Sequence, residues 1–253
     1  MRYLTLLPLF FGLASVAIFL GCVELLLTFG LLNQFVIPFP SAVLGSFGRL
    51  FAEEQLFHRL VLTGTEALAA SVLVSLFGIS IGVLLHRCRV LQLATEPWIA
   101  AITAAPIVLA YPLFLVMFGR SAVTIVAMGF FAGLAPVILK TLEGLNGVRK
   151  SFINVGHSYK LTPAQLFWKI ELPAAVPTIF VGVRLGLVFA LINLIGVEFL
   201  INFGGLGQLV NDLAERYDLP GVFATIVFVI LVSVVIFSAL ERMERWFRPA
   251  DRS

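Results

Sequence analysis

Six long apolar stretches constrain the fold of this chain more than any other feature. A helix needs about 20 residues to cross a hydrocarbon layer of roughly 30 Å, because each residue advances it by about 1.5 Å. The six stretches are residues 6–32, 60–85, 97–118, 122–139, 176–201 and 222–240. With 60% hydrophobic and only 12% charged residues, the chain lacks the polar surface of a soluble domain. The sequence therefore predicts an all-α polytopic membrane protein, with six transmembrane helices in a single domain over residues 1–253.

The distribution of basic residues predicts how the chain is oriented. Short cytoplasmic loops collect Lys and Arg. If both termini are cytoplasmic, the 17 basic residues divide into twelve inside, four outside and Arg184 within a span. The net charge of +3 then reflects loop bias. Because no basic cluster is interleaved with aromatic residues, we expect no nucleic-acid partner.

A polar insert, residues 154–173, separates the fourth and fifth spans with the sequence NVGHSYKLTPAQLFWKIELP. Thr162 is typical of a helix N-cap, Pro163 of the first helical position, and Gln165 of the return partner in a capping box. Residues 150–159 predict another short helix, so Lys160 and Leu161 form the corner between the two. The sequence predicts a cytoplasmic helix–turn–helix within the loop 141–173.

The segments before and after the core are predicted separately. Residues 1–37 form an extra N-terminal helix, since their apolar run is too long for a signal peptide. In the external segment 38–59, two prolines break the helix and the next apolar residues fall on one helical face. The opposite, polar face carries Ser46, Arg49, Glu53 and Glu54. We expect that helix to lie along the outer membrane surface, and a plain linker is the alternative. Residues 60–241 form a five-helix core and residues 242–253 a cytoplasmic tail.

The polar insert resembles the signature loop of ABC-importer permeases. That signature has an acidic residue, two alanines, a glycine six residues after the acid, and Ile-x-Leu-Pro beginning ten residues after the glycine. Counted from Asn154, the glycine position is Lys160, and the motif closes with Ile170, Leu172 and Pro173. Other similar segments are IPFPSAV, APIVLAYPLFLVMFG, PVILKTLEGLNGV, SYKLTPAQLFWKIELPAAVPTIFVGVRLGL, GVEF and GGLGQLV. Over residues 38–247 the chain resembles permeases of the nitrate, sulfonate, taurine and bicarbonate branch.

This resemblance implies a type I ABC-importer permease fold with cytoplasmic coupling helices, in a bacterial inner (plasma) membrane. The implied partners are two cytoplasmic ABC ATPase subunits, a second permease subunit and a periplasmic or lipid-anchored solute-binding protein. ATP and Mg²⁺ would be bound by the ATPases, so this chain is expected to have no cofactor, metal or catalytic residue. The implied ATPase-coupling residues are Asn154, Val155, Gly156, Ser158, Tyr159, Lys160, Leu161, Thr162, Ile170, Leu172 and Pro173.

The insert departs from the signature at four positions. The acid is replaced by Asn154, the alanines by Val155 and Gly156, and the glycine by Lys160. Since glycine adopts positive φ readily, a corner built on Lys160 is expected to cost roughly 1 kcal/mol. Losing the acid also removes a charge-assisted contact. We hypothesise that this subunit pairs with a second, different permease whose loop is more typical.

Polar and helix-breaking residues within the spans suggest a translocation path. Ionisable groups in hydrocarbon are costly and usually face partners or a wet cavity. The candidates are Pro106, Tyr111, Arg184, Asn193, Glu198 and Asn202. Pro106 and Pro112 are expected to bend the third span, and Glu198 lies about 21 Å beyond Arg184 along one helix. The alternatives are helix–helix hydrogen bonds or ion pairs for Arg184 and Glu198, and packing for the prolines.

The resemblance implies ATP-driven import of a small solute delivered by an external binding protein. A sulfonate, nitrate or bicarbonate is expected, and a pyrimidine or flavin precursor is the alternative. An ion-gradient-driven secondary transporter would show repeats with paired broken helices, which this sequence does not show. A membrane scaffold protein that transports nothing is the third functional class considered, after the ABC importer and the secondary transporter. A phosphate-binding loop at residues 144–151 is disfavoured, because Arg149 stands where that motif requires glycine.

Overall fold

The computed structural model describes residues 3–247, with side chains described for residues 10–244 except residue 13, and shows a helical bundle. Five of its helices are long and apolar enough to cross a membrane, or six if one bent pair counts as a span. This confirms the predicted fold class. The α-helices are α1 (Tyr3–Thr28), α2 (Pro40–Ala52), α3 (Leu56–Arg87), α4 (Arg89–Ala104), α5 (Tyr111–Phe118), α6 (Ala122–Asn146), α7 (Lys150–Ser158), α8 (Pro163–Leu166), α9 (Leu172–Ile201), α10 (Gly205–Glu215) and α11 (Leu219–Phe247). The predicted tail is therefore helical to Phe247, and its residues 248–253 lie outside the described residues.

The third predicted span is broken rather than continuous. Helix α4 ends at Ala104, and residues 107–118 leave at an angle of 89° through a 3₁₀ turn, Ile107–Ala110, into α5. The sequence predicted that Pro106 and Pro112 would both bend one helix. Pro106 does precede the turn, but Pro112 lies in the first turn of α5. A proline there is tolerated because the first N–H groups of a helix need no intrahelical partner.

Helix α6 lies at the centre of the bundle and packs closely on α3 and α9. Its crossing with α9 depends on Gly133, where an added Cβ would lie only 2.5 Å from the backbone oxygen of Gly186. At Gly82 of α3, an added Cβ would lie 2.6 Å from the Cβ of Thr141 in α6. Gly133 and Gly82 therefore serve contacts between helices within the chain.

The end of the bundle opposite the polar insert is closed by α2 and α10. Five leucines are buried there: Leu50, Leu56, Leu206, Leu209 and Leu213. Arg59 pairs with Asp212 at 2.9 Å, and Arg216 pairs with Glu54 at 2.7 Å. Arg49 pairs with Asp218, and this hydrogen bond raises the pKa of the Arg49 guanidinium. Three ion pairs therefore join the segment 49–59 to α10 and to the short connection between α10 and α11.

Helix α2 confirms the predicted helix and corrects one detail of its faces. We expected Ser46 on the polar face with Arg49, but Ser46 is buried and its hydroxyl donates to the carbonyl of Ala42 at 2.9 Å. Because the hydroxyl is hydrogen-bonded within its own helix, burying it costs little free energy. The Glu24 carboxylate of α1 accepts hydrogen bonds from the Ser41 amide and hydroxyl, at 3.1 and 2.6 Å. The position of α2 along a membrane surface stays a prediction.

Candidate coupling segment and translocation cavity

The polar insert has the predicted helix–turn–helix. Helix α7 ends at Ser158, and α8 begins at Pro163 after a corner. The Gln165 amide donates to Thr162 Oγ1 at 3.3 Å, and the Thr162 amide donates to Gln165 Oε1 at 3.0 Å. These two bonds complete the capping box and satisfy amides that the helix itself leaves free. The local sequence therefore fixes where α8 begins.

The corner of the insert contains the strained residue that the sequence predicted. Lys160 has φ = +52°, in the left-handed region. Its amide donates to the carbonyl of His157 at 2.9 Å, and the Leu161 amide donates to the carbonyl of Gly156 at 3.1 Å. A non-glycine residue in this region costs about 1 kcal/mol or more, and the two hydrogen bonds help to hold it there.

Gly156 lets α7 approach the second half of the insert. An added Cβ at this position would lie 2.8 Å from Ile170 Cδ1, closer still to the Leu166 side chain, and 3.6 Å from Leu161 Cδ1. A methyl group at this position would require the ends of the Leu166 and Ile170 side chains to move, and glycine lets the two helices pack without that shift. Gly156, Leu161 and Ile170, all predicted coupling residues, meet at this contact.

The second helix of the insert is not a separate short helix, which corrects the sequence interpretation. A π-helical turn, Phe167–Glu171, joins α8 directly to α9, and the Leu172 amide bonds to the carbonyl of Phe167. Pro173, in the first turn of α9, cannot donate the usual bond to residue 169, and a wider turn accommodates this loss. The insert is therefore continuous with a helix that ends at Ile201.

Residues from α3 and α6 hold the π turn in place. The guanidinium carbon of Arg87 lies 4.7 Å from the centre of the Phe167 ring. His86 Nδ1 lies 2.9 Å from Asn146 Oδ1, and His86 Nε2 lies 3.8 Å from the Glu171 carboxylate. Neither Arg87 nor His86 was predicted, because nothing in the local sequence shows that they contact residues 60 to 85 positions away.

Large apolar side chains are exposed on the insert. Along α7 and at Tyr159, the residue that follows it, the exposed fractions are 49% for Phe152, 52% for Val155 and 78% for Tyr159, at positions i, i+3 and i+7. Trp168 of the π turn is 65% exposed. Such a surface on an otherwise polar segment is typical of a place that another protein or a membrane covers. The sequence predicted Val155 and Tyr159 for coupling. It missed Phe152, which the helical spacing could have identified, and Trp168.

Two translocation-path candidates, Pro106 and Asn193, line one open cavity of about 300 Å³. Its wall consists of residues 102–108 at the break of the third span, with Ala132, Phe189, Ile192 and Asn193. Tyr111 packs instead against the buried cluster beside this cavity, which includes Met128 and Leu194.

The other three candidates make contacts between helices. Arg184 pairs with Glu244 of α11 at 3.0 Å. Glu198 is fully buried and accepts from Thr63 Oγ1 at 2.7 Å and from the Gly207 amide at 2.8 Å. Asn202 ends α9 at φ = +54°, and its carbonyl accepts from Arg120 at 2.8 Å. These contacts agree with the helix–helix alternative for Arg184 and Glu198, and a role in translocation stays a prediction.

Comparison with known proteins identifies relatives over most of the chain. The family model described as "Binding-protein-dependent transport system inner membrane component" matches residues 74–249. The putative aliphatic sulfonates transport permease protein SsuC of Bacillus subtilis (strain 168) is 26% identical over 234 residues, 92% of this chain and 85% of the relative. The riboflavin transport system permease protein RibX of Chloroflexus aurantiacus (strain ATCC 29366 / DSM 635 / J-10-fl) is 29% identical over 216 residues, 84% of this chain and 81% of the relative.

One solved structure has the same fold. A chain of the methionine ABC transporter MetNI, in an inward-facing conformation, matches with a TM-score of 0.67 and 17% sequence identity. The match covers 77% of this chain and 96% of the other. At this level of identity the likeness supports the helical architecture alone.

Proposed function

The chain belongs to the family of binding-protein-dependent transport system inner membrane components, and from that premise we propose that it is the permease subunit of an ATP-driven ABC importer. Its substrate is a small solute delivered by an external binding protein. The observation that carries the proposal is the polar insert, which continues into α9 through the π turn. ATP hydrolysis takes place on two separate cytoplasmic ATPase subunits, which bind the ATP and Mg²⁺.

The exposed apolar face of α7 is the docking surface for an ATPase subunit in this proposal. Phe152, Val155 and Tyr159 are the exposed side chains that a partner would cover. A push on α7 is passed through the Gly156 contact to α8 and then along α9. The contacts of Arg87 and His86 spread the same motion to α3 and α6. The other predicted coupling residues either form the connection from α7 through α8 to α9 or add to the exposed surface of the insert.

The proposed location is the bacterial inner membrane, with both termini in the cytoplasm. This orientation places the polar insert beside the ATPases and the α2–α10 end beside the binding protein. Residues 1–37 are then an extra helix, 38–59 an external segment, 60–241 the transport core with its coupling loop 141–173, and 242–253 a cytoplasmic tail. A second permease subunit completes the path, and the unusual coupling loop supports a different chain in that role.

The relatives support two solute classes. The name of SsuC supports a small anion such as a sulfonate, with nitrate and bicarbonate in the same branch. The name of RibX supports a flavin-type molecule, and the family resemblance adds pyrimidine precursors as an alternative. Both classes are compatible with the same ATP-driven mechanism.

A pair of exposed tyrosines tests the coupling proposal. Tyr159 on the insert is 78% exposed, and Tyr217 at the opposite end is 90% exposed. We expect Tyr159→Ala to weaken copurification of the ATPase subunits by about tenfold or more, since a central aromatic contact is worth about 2 kcal/mol. Tyr217→Ala is the matched control and should leave copurification unchanged. Equal effects, or solute uptake driven by an ion gradient without ATP, would contradict the proposal.

A further inference from the structure

We infer that the cavity at the break of the third span is the solute-contacting site, and that it takes an uncharged, hydrogen-bonding molecule rather than a free anion. A neutral heterocycle presents this combination of polar edges and apolar faces. The inference rests on the proposed function and narrows its solute class. The cavity is lined by residues 102–108, Ala132, Phe189, Ile192 and Asn193.

The position of the cavity supports a place on the solute path. Helix α4 stops at Ala104, and the chain turns by 89° before residues 107–118 continue. Irregular backbone at hydrocarbon depth is stable only where protein buries it or where it lines a wet cavity. Ile102, just before this break, lines the cavity and is 49% exposed. The break therefore faces an open volume, of about 300 Å³, at the lower end of the range for ligand pockets.

The cavity wall offers neutral groups to a ligand. Its residues include no Asp, Glu, Lys, Arg or His. The Asn193 side-chain amide donates to the carbonyl of Phe189 at 2.9 Å, so its oxygen stays available as an acceptor. The Thr103 hydroxyl donates to the carbonyl of Ile99 at 3.1 Å and can also accept. The Phe189 ring, 36% exposed, adds an aromatic surface.

Basic residues of the adjoining segments are engaged elsewhere. Arg184 of α9 pairs with Glu244 of α11. Arg120, which follows α5, donates to the carbonyls of Ile201 and Asn202 at 2.9 and 2.8 Å. An anion at this depth would leave water without gaining a cationic partner, which is costly. A neutral solute avoids that cost and can still use the amide and hydroxyl oxygens.

Cysteine labelling tests both the openness and the charge preference of the cavity. Ile192 lines the cavity and is 65% exposed, and the native Cys22 and Cys88 can be replaced by serine. The importer containing Ile192→Cys is purified as the whole complex in nanodiscs. It is treated with an uncharged methanethiosulfonate or with one of similar size that carries a sulfonate. Val235→Cys, at a 68% exposed position of α11 outside the cavity wall, is the lipid-facing control.

The expected result is a charge-selective reaction at residue 192. The ratio of uncharged to sulfonate labelling rates should exceed the ratio for free cysteine in solution by about tenfold or more, because the wall offers an anion no cation. Labelling should also be faster than at Val235→Cys. Equal ratios would show that the cavity admits anions. Labelling as slow as at the control would show that lipid or another chain fills it. Either result overturns the inference.

The proposed function is judged by a separate measurement on the same preparation. If the ATPase subunits copurify with the chain that lacks its native cysteines, but the labelling shows no charge preference, only the solute inference fails. If the ATPase subunits do not copurify with that chain, the importer proposal fails whatever the labelling shows.

Discussion

Lys160 decides the shape of the corner between α7 and α8. Its φ of +52° suits glycine, and a β-branched residue is the least compatible with it. We expect Lys160→Val to lower the stability of the permease by about 1–2 kcal/mol, because the strain adds to that already present. Lys160→Gly should be neutral or stabilising by less than about 1 kcal/mol, since relief of strain is partly offset by chain entropy. The measurement is the apparent melting temperature of the purified permease.

Lys160→Ala separates the backbone effect from the charge effect. Alanine removes the ammonium group but meets the same steric restriction at positive φ as lysine. It should therefore melt close to the wild type. If Ala and Val lowered the melting temperature equally, the charge of Lys160 rather than its backbone would hold the corner.

Thr63 joins α3 to two other helices through one hydroxyl group. The hydroxyl donates to the buried Glu198 carboxylate at 2.7 Å and accepts from the Leu206 amide at 2.8 Å. Thr63→Val leaves both groups without this partner, and we expect a loss of about 3 kcal/mol in stability. Thr65→Val is the control, because the Thr65 hydroxyl bonds only to the carbonyl of Leu62 in its own helix. Equal melting temperatures for the two variants would contradict this account.

At the scale of elements, the predictable features are those with local causes. The start of α8 follows from Thr162 and Gln165, three positions apart, and α7 follows from a short amphipathic pattern. The π turn and the 89° break are different. The geometry of both depends on contacts with α3, α6 and α9. A hydropathy average over a span carries no information about such contacts. The prolines of the third span indicated that helical hydrogen bonds would be lost. They did not indicate that Pro106 would precede the break while Pro112 would lie in the first turn of a new helix.

The crossing of α6 and α9 depends on glycine. A Cβ at Gly133 would lie 2.5 Å from the Gly186 oxygen, and backbone cannot move aside as a side chain can. We expect Gly133→Ala to destabilise the fold by about 2–3 kcal/mol, which is typical of overpacking. Gly64→Ala on α3 has open space around it and should be neutral or stabilising by about 0.5–1 kcal/mol. Thermal unfolding of both variants provides the test, and a tolerated Gly133→Ala would show that the helices can separate.

Pro106 breaks the third span, and Pro97 lies inside α4 without breaking it. Pro106→Ala restores an N–H that lets α4 continue, so the cavity wall should change shape. We expect the transport rate to fall by about tenfold or more while expression changes little, because opening and closing of a transport path depend on such segments. Pro97→Ala should have a smaller effect on transport. Equal loss of transport and expression in Pro106→Ala would favour a packing role.

Over the whole molecule, the sequence indicated which residues share a helix better than it indicated which helices are in contact. Arg184, Asn193 and Glu198 were placed on one span, and the structure has all three on α9. The partners given above lie on two other helices and on α9 itself: Glu244 on α11, Thr63 on α3, and Phe189 on α9. One sequence contains no information on which helices meet, so Asn193 could not be separated from the two ionisable residues before the fold was known.

The unusual coupling loop leads to a prediction about the assembly. Asn154 lacks the charge that the signature places there, and Lys160 holds the corner under strain. Two such loops in one importer would couple both ATPases weakly, whereas one typical loop from a different permease would preserve one strong connection. We expect that a complex purified through a tag on this chain, after coexpression with the second permease of its system, contains both permeases in equal amounts. Mass measurement of the intact complex is the test. An active importer with this chain as its sole permease species would exclude the unequal pair, and Asn154→Glu with Lys160→Gly should then raise its transport rate.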